Sequence, residues 1–182
     1  GTLRASAANA LAASAGVTVN SGGAFDPGVP GAAGSTTVLS KLTLNSGSAV
    51  NIEFAAGVND RISVTNTAAN SLALAGGGVY LYAQGTANAW SENGTYELIQ
   101  YSGALSGSPA NLSVLNPVRG KVYAFDAVSG WIRLTISDSA AAQGEWDGGG
   151  ADAYWQTAAN WTSDVAPLPG SVLEFAGSSR LS

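Results

Sequence analysis

The chain has 182 residues, of which 46% are hydrophobic, so it can build a sizeable core and is not a disordered segment. Only 10% are charged and the net charge is −5, with seven Lys and Arg scattered from Arg4 to Arg180. Without clustered cations to release counterions from phosphates, nucleic-acid binding and adsorption to an anionic membrane surface are excluded as functions.

Helical signals are weak. The Ala-rich stretch Ala5–Ala15 has high helix propensity, but Leu3 and Leu11 are too sparse to form an apolar face. Everything after it reads as short strands between Gly, Asn, Ser and Asp turns. Val17–Val19 comes first, then Val38–Leu44, whose alternation is imperfect, then a turn at Asn45-Ser-Gly47. Val50, Ile52 and Phe54 alternate cleanly with Asn51 and Glu53, the period-two pattern of a half-buried strand. Gly57-Val-Asn-Asp60 turns the chain, and Ile62/Val64, Leu72/Leu74 and Val79–Tyr82 follow. Further runs are Tyr96–Tyr101, Leu112–Leu115, Val122–Phe125, Trp131–Ile136 and Val172–Phe175. The 24 Gly suit many positions with positive φ. Runs spaced about 8–12 residues apart point to an all-β sandwich, barrel or solenoid.

Ser137–Gln143 is a small-residue stretch, and three of the five Trp follow it, at 146, 155 and 161. Residues 1–137 therefore read as a β-solenoid body and 138–144 as a linker. Residues 145–182 read as a separate Trp-rich segment.

The tail carries Trp146-Asp-Gly-Gly-Gly, Trp155-Gln-Thr-Ala-Ala-Asn160-Trp161, Pro167-Leu-Pro-Gly170 and Phe175. The middle carries Leu42-Thr-Leu44, Asn59-Asp60-Arg61-Ile62, Leu72-Ala-Leu74-Ala-Gly76-Gly77, Gly94-Thr-Tyr96-Glu-Leu98-Ile99, Tyr101-Ser-Gly103 and Leu134-Thr-Ile136. On these residues the chain resembles autotransporter-associated β-strand repeat proteins, which are very large secreted bacterial chains. The tail resembles the opening of a repeat unit and the middle resembles the close of one. The resemblance implies a right-handed parallel β-helix and a scaffold role, with a β-sandwich as the alternative fold. It carries over no catalytic residues. At about 20–25 residues per coil the chain would make roughly seven to nine coils, a rod about 40 Å long.

Trp146, Trp155, Asn160, Trp161 and Phe175 are the candidate assembly residues, packing over a coil end or between adjacent units. A polysaccharide platform of exposed aromatics is the alternative. Tyr80 and Tyr82 share a strand face and read as sheet packing. Asp147-Gly-Gly-Gly-Ala-Asp152 offers too few oxygens for calcium and reads as a turn. With no His or Cys, the commonest general base and the thiol nucleophile are missing. Carboxylate pairs such as Glu92/Glu97 or Asp147/Asp152 are the remaining catalytic option, a weak one for acids in turn contexts. No cofactor, metal or enzymatic activity is expected. The absence of Cys and Met fits secretion to the bacterial cell surface. A start at Gly rather than Met marks the chain as processed, or as a piece of something longer. The expected partner is the chain itself, head to tail or in tandem, with polysaccharide second and no membrane insertion.

Overall fold

The computed structural model describes residues 1–5, 11, 13, 15–139, 144–162, 164–167 and 173–175. Most of the Ala5–Ala15 stretch and residues 140–143 of the expected linker lie outside the described residues. Two compact units emerge: residues 1–118 with 123–136, and residues 119–122 with 137–182.

The first unit is a parallel β-solenoid of about five turns. Strands β1 (Thr2–Arg4) and β2 (Gly16–Val19) belong to the first coil. The second holds β3 (Ala24–Asp26), β4 (Thr36–Leu39) and β5 (Lys41–Leu44). The third holds β6 (Ala49–Ala55), a short β7 (Val58–Asn59) that folds back on β6, then β8 (Arg61–Val64) and β9 (Leu72–Leu74). The fourth holds β10 (Gly78–Ala83), β11 (Gly94–Tyr101) and β12 (Leu105–Gly107), and β13 (Ser113–Val114) opens the fifth.

The coils stack into three sheets. The first is β1-β3-β6-β10-β13, with β7 beside β6. The second contains β4-β8-β11, and the third is β2-β5-β9-β12. Apart from β7, every pairing among these strands is parallel. A β-sandwich is thereby ruled out, because its sheets are antiparallel.

Like residues stack on like inside. Val17, Leu42, Leu72 and Leu105 are in register in the third sheet, and Phe25, Val50 and Val79 in the first. Leu42, Leu72, Ile52, Ile62 and Leu81 are fully buried. Each such side chain contributes about 1.5–3 kcal/mol relative to an exposed one. At one corner Asn45 Nδ2 donates to Asn20 Oδ1 at 2.7 Å, a rung between successive coils.

The expectation of seven to nine coils is corrected to about five. In the first sheet Thr2, Ala24, Ala49, Gly78 and Ser113 are in register, giving steps of 22, 25, 29 and 35 residues. Only the first two fit the assumed 20–25. The circuits grow partly because their strands do, from three residues in β3 to seven in β6 and six in β10, and a longer strand adds residues without adding a rung.

The imperfect alternation of Val38–Leu44 has a structural cause. The chain turns a corner at Ser40, so β4 lies in the second sheet and β5 in the third, and the period restarts. Likewise a register shift between Glu97 and Ile99 turns Leu98 and Ile99 both inward.

The second sheet does not end like the others. Strands β14 (Lys121–Val128) and β15 (Trp131–Asp138) extend it in the order β14-β15-β11-β8-β4, with β15 antiparallel to β11. Ser129 and Gly130, at φ 52° and 79°, form the two-residue loop between them. Two positive φ values in a two-residue loop define a type I′ hairpin, which only antiparallel strands accept.

Candidate functional site

The second unit gathers the Trp-rich motif. Strands β16 (Glu145–Trp146) and β17 (Glu174–Phe175) pair in parallel, Glu145 with Glu174 and Trp146 with Phe175. Parallel pairing requires a crossover, and this one returns after 29 residues, the step that separates Ala49 from Gly78 in the solenoid. Arg119 forms an ion pair with Glu174.

Three aromatic rings pack together. Trp146 and Trp161 meet edge to face at 5.3 Å and 88°, and Phe175 touches both at 5.8 and 5.9 Å. Such pairs contribute about 0.5–1.5 kcal/mol beyond their burial. The Trp161 indole N–H donates to the Trp155 carbonyl at 2.6 Å, satisfying its one polar atom.

Asn160 fastens the loop beneath them. Its carboxamide oxygen accepts from Gly150 N–H at 2.9 Å. Its Nδ2 donates to the carbonyls of Asp152 and Tyr154, both at 3.0 Å, and lies 3.2 Å from Asp152 Oδ1. The Asn160 carbonyl accepts from the backbone N–H of Asp147 and Gly148. A Cβ on Gly150 would stand 2.6 Å from the Asn160 oxygen, so glycine is required there. Asp147 accepts from Gly149 N–H, and Asp152 accepts from Tyr154 N–H and the Thr157 hydroxyl. These carboxylates are thus used as turn acceptors for their own loop.

The five candidate residues separate into two groups. Trp146, Asn160 and Trp161 are buried, whereas Trp155 is 50% and Phe175 56% exposed. Tyr154, beside Trp155, is 69% exposed. The buried three hold the unit together, Phe175 packs on two of them while staying more than half exposed, and the Trp155 side chain is half exposed.

In the solenoid, Tyr80 and Tyr82 stack on one another at 5.7 Å and 9°, each covering a face of the other. Glu97 is engaged by Arg61 at 3.6 Å, while the Glu92 carbonyl accepts the Tyr96 hydroxyl. Among the described residues no group of three or more His, Cys, Asp or Glu is arranged to hold a metal ion.

Two features were not read from the sequence. One is an acidic corner of Asp26, Glu53 and Asp60. Asp60 is fully buried and accepts from Ser35 N–H at 3.0 Å and Glu53 N–H at 3.2 Å. Burial pushes its carboxyl up to about 6 against those two hydrogen bonds, and the charges of Glu53 and Asp26 push the same way. Asp26 is also raised by burial, although Arg4 holds it at 2.8 Å. The corner is closed by Gly28, whose Cβ would overlap the Asp60 carboxylate. Gly28 and Asp60 are 32 positions apart, so no local pattern announces the contact.

The other feature is a row of alternating charge on the outer face of the second sheet. Thr36 pairs with Arg61, Arg61 reaches Glu97, and Glu97 pairs with Arg133. Arg133 grips Asp126 with two hydrogen bonds of 2.8 and 2.9 Å, which lowers the Asp126 carboxyl. Arg61 also lies over the Trp131 ring, 5.5 Å from its centroid.

No protein-family model matches the chain, and no curated protein matches it.

Proposed function

We propose that the chain is a structural repeat of an extracellular bacterial fibre, tube or surface-protein array, in which units follow one another head to tail through their solenoid ends. The observation that carries this reading is the parallel pairing of β16 with β17. After the solenoid body has ended in a hairpin, the chain starts to wind in parallel again with a coil-sized return of 29 residues. A chain that closes one winding and opens the next is what a repeating scaffold requires. The resemblance to autotransporter-associated repeats, the low charge and the absence of cysteine support the same reading. Each coil of a solenoid is stabilised by its neighbours, so exposed coil ends favour a further coil.

Sedimentation and electron microscopy of the purified chain test it. Mass should rise with concentration, and filaments should show an axial repeat near one chain length, about 25 Å for five coils. A fusion of two copies should unfold at a higher temperature than one copy, because an added interface stabilises both. A monodisperse monomer at every concentration, salt and pH, together with an unchanged midpoint in the fusion, would overturn the reading.

The exposed Tyr154–Trp155 pair favours a second reading, an adhesin passenger module that holds polysaccharide on aromatic faces. In that case Trp155→Ala abolishes retention on immobilised glycans and leaves the fold and assembly intact.

A further inference from the structure

A groove of about 370 Å³ opens where the chain turns from the first sheet into the second, with Arg61, Tyr96, Glu97 and Arg133 in its walls. That volume is in the range of small-molecule sites. The walls are tied together from below. Asn59 is buried, and its Nδ2 donates to the Asp60 carbonyl at 2.7 Å and to the Glu97 carbonyl at 2.8 Å, which fastens β7 to β11.

Arg61 stands in this groove without a hydrogen bond. Arg4, Arg119 and Arg133 each hold a carboxylate in a close ion pair. Arg61 is instead 3.6 Å from Glu97, too far for a hydrogen bond. Its Nε is buried and has no partner. The guanidinium is nevertheless oriented, because it lies over the Trp131 ring, 5.5 Å from the centroid. Trp131 faces outward, since the next residue of its strand, Ile132, is fully buried. An arginine that is stacked on an aromatic ring and keeps its donors open is a preorganised fork for a ligand oxygen.

Glu97 supplies the matching acceptor. It lies between Arg61 and its register partner Arg133, yet Arg133 gives two hydrogen bonds to Asp126 and none to Glu97. Tyr96 supplies an apolar wall. Its ring meets Phe54 edge to face at 5.1 Å, and its hydroxyl donates to the Glu92 carbonyl. The ring is therefore fixed and its polar atom occupied.

The charges select the ligand. Arg61 and Arg133 oppose a cation, and Glu97 opposes an anion, while Asp126 balances the row to zero. A hydroxyl both donates and accepts and carries no charge. Two adjacent hydroxyls can take a hydrogen bond from Arg61 and give one to Glu97, each strengthened by the charged partner.

We infer that this groove binds a neutral hexopyranose unit of a saccharide, with Arg61 donating to one hydroxyl, Glu97 accepting from its neighbour, and Tyr96 packing on the C–H groups of the sugar. The site lies in the solenoid. It depends neither on the assembly reading nor on the Tyr154–Trp155 pair.

Titration calorimetry and amide chemical shifts of the whole chain test it, with hexamers of glucose, mannose, galactose and N-acetylglucosamine as probes and oligogalacturonate as the charged comparison. At least one neutral hexamer should bind and shift the amides of Arg61, Tyr96 and Glu97. Arg61→Met keeps an unbranched side chain over Trp131, and Glu97→Met keeps the length of the side chain. Each should weaken binding about ten-fold or more, the loss of one hydrogen bond to a charged group. Both positions are well exposed, so the unfolding midpoints should match wild type. Trp155→Ala should bind as wild type does. The assignment is overturned if none of the four neutral hexamers binds, if oligogalacturonate binds more tightly than they do, or if binding survives both groove substitutions. Loss of binding in Trp155→Ala alone would place saccharide recognition in the Trp-rich unit and would overturn it as well.

Discussion

Gly150 and Asn160 form a matched pair in which each fixes the identity of the other: the Gly150 N–H donates to the Asn160 carboxamide oxygen at 2.9 Å, and that oxygen occupies the space a side chain at 150 would need. Asn160 is fully buried and uses both ends of its amide. Asn160→Asp replaces a donor with an acceptor facing the carbonyls of Asp152 and Tyr154. It should cost the Trp-rich unit about 3 kcal/mol or more, as buried polar groups left without partners do. Gly150→Ala should approach that cost through overlap alone. Amide exchange across residues 145–162 is the measurement, and protection equal to wild type would refute the role given to this pair.

The acidic corner predicts an unusual pH dependence. Asp60 titrates near 6 in the folded chain, against 3.8 for the ordinary side chain. A folded value above the unfolded one means that the folded state holds the proton more tightly. The associated stability is complete below about pH 3.8 and is lost as pH rises through 6, by roughly 3 kcal/mol. Asp26, also raised, acts in the same direction. Denaturant unfolding between pH 4 and 7 should therefore show stability falling as pH rises. Asp60→Asn should flatten that slope while lowering stability at pH 4, because a single amide oxygen cannot accept from both Ser35 and Glu53.

Two glycines with similar backbones should differ sharply. Gly57 and Gly107 have φ of 77° and 85°. A Cβ at Gly57 meets nothing within 4 Å, whereas at Gly107 it would lie 2.1 Å from the Leu74 carbonyl oxygen. Gly57→Ala should cost about 1 kcal/mol, the strain of an alanine at positive φ. Gly107→Ala should cost more than about 3 kcal/mol, because neighbouring backbone must move. Thermal unfolding of the two variants side by side decides it.

Within the Trp-rich unit, burial should separate the tryptophans. Trp161 is fully enclosed, and its truncation to Ala should cost about 3–5 kcal/mol. Trp155, half exposed, contributes its carbonyl and not its ring to the Trp161 indole, so Trp155→Ala should stay within about 1 kcal/mol of wild type. Near-ultraviolet circular dichroism during denaturation distinguishes them.

The sequence made some parts of this fold legible and concealed others for definable reasons. Strand β6 could be read directly, because Val50, Ile52 and Phe54 point inward and Asn51 and Glu53 outward without interruption. The stacked leucines of β5 and β9 were equally visible. The corner at Ser40 was hidden because two strands on different sheets follow each other with one residue between them. At β11 the shift at Glu97 places Leu98 and Ile99 on the same side, which an alternation cannot express. The number of coils is smaller than the chain length suggests because the later circuits take 29 and 35 residues and the residues after β13 form a hairpin and the Trp-rich unit. The Asp60–Gly28 contact depends on residues brought together only by stacking. In the Trp-rich motif the sequence marked the residues that matter, but only the fold separates the three that are buried from the two that are displayed.

The lengthening steps of 22, 25, 29 and 35 residues along the first sheet change how size is measured in this molecule. The rise from coil to coil is set by backbone hydrogen bonding, at about 4.8 Å, whatever the number of residues in the circuit. Length and girth of the solenoid are therefore separate variables: a new strand in each sheet extends it, and an insertion at a corner only decorates its flank. The corners are places where sequence can be added, varied or replaced while the spacing along the axis stays the same.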